Sequence, residues 1–140
     1  CVGRATVMDR AWPASEGEAI HTSTYLGHPV GCAMALAQIK ELKEKKLITK
    51  TRRLGKKFEK LYQRYPIKGA RYIGRGLMAG LAFDDSDGPR VLTAVKEMLR
   101  CGSILLPTGE HGQVIAFSPP LTITEKQLER TLAILQKVMS

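Results

Sequence analysis

The residues best placed to do chemistry lie in one short run, His21-Thr22-Ser23-Thr24, a few positions before Gly27-His28-Pro29. Hydroxyls and unpaired backbone N–H groups close to a helix start suit an anion, and phosphate is the usual guest. The same residue types equally serve a loop whose Ser and Thr side chains only satisfy turn and helix-start amides. Chemistry alone leaves both readings open.

The other candidates carry less. Cys1, Cys32 and Cys101 are scattered with no metal-type spacing, so buried or half-buried reduced thiols in a cytosolic, cytoplasmic protein are expected. His21 and His28 have no third ligand near them in sequence, and no metal is expected. Asp84, Asp85 and Asp87 lack calcium-loop spacing and read as solvated turn residues. Gly74-Arg75-Gly76 opens no helix and is no dinucleotide fingerprint.

Charge is unevenly spread. The chain carries +9 overall, yet Lys40 to Arg75 holds 14 Lys/Arg against 3 Asp/Glu. Such a block is either a nucleic-acid footprint or the solvated face of a helix. Phe58, Leu61 and Tyr65 fall on the apolar stripe rather than among the cations, so no nucleic acid is expected. No apolar run reaches the roughly 20 residues that span a bilayer, and no membrane partner is expected.

These residues need a scaffold, and 140 residues are enough for one domain with a real core. Cys1 to Val7, apolar with β-branched members, is expected to close a strand. A Pro/Gly/Glu-rich loop follows. Pro29 suits the first position of a helix whose Val30–Ile39 segment, crowded with Ala, Gly and Cys, invites close packing. Unbroken to Tyr65, this helix would be about 55 Å long, so a bend near Lys43-Glu44-Lys45-Lys46 is expected. Leu47, Thr51, Leu54, Phe58, Leu61 and Tyr65 form the stripe of the second helix, which Pro66 ends.

Beyond it, strands are expected over 70–73 and 77–83, then a helix opened by Pro89 with Val91, Leu92, Val95, Met98 and Leu99 on one side. Gly102 caps that helix. Strands at 104–106 and 114–117 follow, and Pro119-Pro120 makes a rigid corner. Thr124 and Gln127 form a capping box for the last helix, with Ile123 stapled against Leu128. Strand, strand, helix, strand, strand, helix is an α+β layer: a small, mostly antiparallel sheet with helices on one face.

The blocks "GEAIHTSTYLGHPVGCAMALAQIKEL", "IGRGLMAGLAF" and "VIAFSPPLTITEKQLERTLAIL" together resemble the C-terminal part of the class III pyridoxal-phosphate-dependent aminotransferases, which include ornithine, acetylornithine and 4-aminobutyrate aminotransferases. The resemblance runs along essentially the whole chain. It implies a fold type I homodimer, with residues 1–26 as the tail of the large cofactor domain, 27–65 as connecting helices and 66–140 as the small C-terminal domain. It further implies that Ser23 and Thr24 hydrogen-bond the phosphate of the partner subunit's pyridoxal phosphate. The Schiff-base lysine would lie upstream, so this stretch holds no catalytic residue and is expected to be inactive alone.

One departure concerns substrate. Many members place an arginine before the Pro-Pro corner, where it pairs with a substrate carboxylate; here the residue is Ala116. The reaction implied is transfer of an amino group from an amine or amino acid to a 2-oxo acid. An aminomutase, racemase or decarboxylase on the same scaffold, or a stand-alone basic binding module, are the other classes open. Because the chain starts Cys1-Val2-Gly3-Arg4, it reads as a piece of a longer polypeptide.

Overall fold

The computed structural model describes residues 3–12, 24 and 27–140. Two compact units divide the chain, Cys1–Lys40 and Glu41–Ser140. In the first, α1 (Ala5–Ala11) occupies part of the segment expected to be a strand. Ala5, Met8, Arg10 and Ala11 favour helix, and a lone extended segment has no ladder partner to hold it. Helix α2 (Pro29–Glu44) runs through the boundary between the units and has no buried residue. Val30, Met34 and Leu36 are each more than 60% exposed.

The expected bend between the helices is present. Lys46 takes a left-handed conformation (φ 49°), and α3 (Leu47–Arg64) starts at the next residue. Leu47, Phe58 and Leu61 of the stripe are buried, while Leu54 and Tyr65 pack partly buried against the core. The sequence reading misses Gly55, which is buried with them. A Cβ built there would lie 2.4 Å from Gly76 Cα, so the absent side chain lets the helix touch the sheet backbone.

Four strands, β1 (Arg71–Arg75), β2 (Met78–Ala82), β3 (Leu106–Thr108) and β4 (Val114–Phe117), form an antiparallel sheet in the order β1-β2-β4-β3. The β1–β2 turn falls at Gly76-Leu77, with Gly74 and Arg75 still paired to Ala79 and Met78. Between β2 and β3 lie a short 3-10 turn (Asp85–Asp87) and α4 (Gly88–Arg100). Its buried stripe is Val91, Ala94, Val95 and Met98; Leu92 and Leu99, expected to face inward, are 44% and 59% exposed. Each lies one position past Val91 or Met98, a rotation of about 100° that carries it off the buried line, while Ala94 joins that line.

Gly102 (φ 79°) follows α4, with its N–H donating to Leu99 O and the Ser103 N–H to Met98 O, a Schellman closure. The last helix, α5 (Glu125–Val138), begins with the expected capping box: Gln127 N–H donates to Thr124 Oγ1 and Thr124 N–H to Gln127 Oε1. Leu128, Leu132 and Leu135 are buried.

Helices α3 and α4 pack against one face of the sheet, as the alternation along the strands requires, and α5 packs against both helices and adds its leucines to the same core. Leu81, Ile115 and Phe117 point into this core, and Phe58 meets Phe117 edge-on at 5.2 Å between ring centroids. Thr51 Oγ1 is the buried side-chain polar atom that lacks a hydrogen-bond partner among the described residues. Leaving such a hydroxyl unpaired is unfavourable, whereas valine keeps its shape. Thr51→Val is therefore expected to stabilise the fold by about 1 kcal/mol, seen as a higher urea midpoint at unchanged slope. A lower midpoint would show that the hydroxyl has a partner.

Candidate functional site

Ser23, like His21, lies outside the described residues; Thr24 is in a turn with its side chain exposed. Gly27 has a left-handed backbone (φ 67°), which turns the chain just ahead of α2. His28 then occupies the N-cap position. Its carbonyl accepts the Cys32 N–H, and its Nδ1 lies 3.5 Å from the Gly31 N as acceptor, a long bond. The sequence reading treats His28 only as a weak metal candidate; its place one residue before Pro29 is the signal for capping. Among the described residues there is no group of three or more His, Cys, Asp or Glu able to hold a metal ion.

An exposed threonine hydroxyl before a turn is a donor that a phosphate oxygen can accept from. The donor chemistry of Thr24 thus fits an ester phosphate. Neither described cysteine matches the expected burial, since Cys32 and Cys101 are both exposed free thiols. Cys32 sits on the uncovered α2 and Cys101 at the C-cap of α4, where a side chain faces solvent.

Ala116 stands in β4 between Gly80 of β2 and Leu106 of β3, on the sheet face opposite the buried Ile115 and Phe117. Its nearer neighbours on that face include the apolar Ile73, Met78 and Val114, while Arg71 and Arg75 of β1 lie on the same face farther out. Past the strand, the Pro119-Pro120 corner borders a groove of about 490 Å³ that reaches Ser103, Gln127 and Arg130. Where Ala116 stands, the sheet offers a methyl group and no charge.

The Aminotransferase class-III family matches residues 1–139. The 2-aminoadipate transaminase of Pseudomonas putida is 35% identical over 126 residues, covering 84% of this chain and 30% of that protein. The 5-aminovalerate aminotransferase of Pseudomonas aeruginosa is 34% identical, covering 95% of this chain and 32% of its own length. Among solved structures, the ornithine aminotransferase of Toxoplasma gondii, which holds pyridoxal phosphate at partial occupancy in its active site, superposes with a TM-score of 0.75 at 31% identity, over 98% of this chain and 32% of that one. The chain belongs to the class III aminotransferases, whose cofactor is pyridoxal phosphate. It spans about 30% of the length of the relatives it matches.

Proposed function

We propose that this chain is the C-terminal part of a cytoplasmic, homodimeric enzyme that moves an amino group from an amine or amino acid to a 2-oxo acid. Residues 1–26 are the tail of its cofactor domain, 27–65 the connecting helices and 66–140 the small domain. The family match over residues 1–139 carries this reading. When bound, pyridoxal phosphate would supply the electron sink that takes up the pair left as the C–H bond beside the amino group breaks. Ser23 and Thr24 would hold its phosphate across the dimer interface by donating hydrogen bonds from their hydroxyls. The lysine that holds the cofactor lies upstream, and the 140 residues alone are inactive.

Ala116 shapes the choice of amine. A methyl group cannot make the two parallel hydrogen bonds that a guanidinium gives a carboxylate. The small domain therefore favours an amine donor without an α-carboxylate, or one whose carboxylate is bound elsewhere. Incubating the full-length, cofactor-loaded protein with a panel of primary amines and α-amino acids, with 2-oxoglutarate or pyruvate as acceptor, tests both points. A new amino acid should form in step with carbonyl product, and Ala116→Arg should move preference toward α-amino acids at least tenfold. Turnover of the amine with no consumption of the oxo acid would instead identify a mutase, racemase or decarboxylase.

A further inference from the structure

The proposed transfer reaction makes no use of the basic block of α3, whose charges are arranged unequally. Lys57 pairs with Glu125 and Arg64 with Glu129, which ties part of the helix to α5. Arg52, Lys56 and Arg75 have no ion-pair partner among the described residues. All three line one groove of about 680 Å³ between α3 and the β1–β2 turn.

Contact between two glycines makes this groove. Ile48, Thr51, Arg52, Gly55, Lys56 and Glu59 recur at steps of three and four along α3, so they share one helical face. Gly55 on that face meets the backbone of Gly76. Arg52 and Lys56 of α3 and Arg75 at the end of β1 thus border the same groove, with Glu59 the one carboxylate on the lining. Three like charges held around one hollow repel each other until an anion enters.

We propose that this groove binds a small polyphosphate anion. Each of the two arginines on the lining can offer phosphate oxygens a pair of N–H donors, and the lysine adds a point charge. The volume lies in the range of small-ligand sites. A single-stranded nucleic acid fits less well, because it needs aromatic faces on which to stack. The aromatic on the lining, Tyr72, already packs its ring against Phe58 and Tyr62, while Phe58 is buried and Tyr62 turns its hydroxyl to Ala70 O. Tyr72 lines the groove as a neutral phenol, since burial, and secondarily the charge of Glu59, hold its pKa above the usual value.

Calorimetric titration of the full-length, cofactor-loaded protein with sodium tripolyphosphate tests the site without relying on turnover. Loading fills the cofactor's own phosphate pocket, and its absorbance should stay unchanged throughout. One tripolyphosphate per chain is expected, at least thirtyfold tighter than orthophosphate. Arg52→Gln with Arg75→Gln should weaken it at least tenfold. Lys50→Gln with Arg53→Gln, which removes the same total charge from α3 outside the groove, should change it less than twofold. Arg75→Lys should keep affinity within threefold to tenfold of the wild type. Absence of saturable binding, equal weakening by the Lys50/Arg53 pair, or displacement of tripolyphosphate by a short oligonucleotide at lower concentration would each overturn the proposal.

Discussion

Gly55→Ala is expected to destabilise the Glu41–Ser140 unit by about 3 kcal/mol, a large part of the stability of so small a fold. The added Cβ would sit 2.4 Å from Gly76 Cα, 2.7 Å from its carbonyl carbon and 2.9 Å from its oxygen. No rotamer relieves a clash between a Cβ and backbone, so α3 must lift off the β1–β2 turn. That movement would loosen Phe58 from Tyr72, whose rings meet edge-on at 5.9 Å. Urea unfolding with far-ultraviolet circular dichroism reads the effect. The same change at Gly31 is the contrast, since its Cβ would meet nothing nearer than His28 Cβ at 4.0 Å. Gly31→Ala should add about 0.5–1 kcal/mol of helix stability to α2. A Gly55→Ala midpoint within experimental error of wild type would refute the glycine contact.

Removing the hydroxyls of Ser23 and Thr24 together, as Ser23→Ala with Thr24→Val, is expected to weaken cofactor retention by the full-length enzyme about a hundredfold. Two hydrogen bonds to a charged phosphate are worth about 1.5 kcal/mol or more each, and tenfold in affinity is about 1.4 kcal/mol. Equilibrium dialysis, followed by the bound cofactor's absorbance, measures it. Hybrid dimers test the crossing of the interface. One subunit lacks the cofactor-holding lysine, its partner lacks both hydroxyls, and at a cofactor concentration that leaves the hydroxyl variant largely unloaded each homodimer should show little activity. If the hydroxyls reach across, the hybrid has one intact site and regains close to half the activity. If they act within their own subunit, both sites stay impaired. Loss of less than threefold in affinity would end the phosphate role altogether.

The parts of the fold legible in the sequence are those fixed by local chemistry. Thr124 and Gln127 announce α5 because a capping box needs only residues three apart. Strand β4 reads correctly because its alternation coincides with burial of Ile115 and Phe117. Lys43 to Lys46 mark the break between α2 and α3 because no apolar position bridges the two stripes. What stays hidden depends on partners distant in sequence. Gly55 and Gly76 are 21 positions apart, and nothing in either neighbourhood signals their contact. The segment Ala5–Val7 is apolar enough for a strand, but only a neighbouring strand could make it one. Of the site, the hydroxyl run is conspicuous by type, while the capping role of His28 needs the helix start to be seen in three dimensions.

The order β1-β2-β4-β3 leaves β1 and β3 as the borders of the sheet. Unpaired N–H and C=O groups along such a border can recruit a strand from another molecule. Each border here is defended differently. The middle residue of β3 is Pro107, which has no N–H to offer, and three residues give an intruder little purchase. Arginines stand at both ends of β1, and Gly74 bends it with φ 119°. Neither border of this sheet therefore offers, among the described residues, a long unbroken ladder on which fibrils could be seeded.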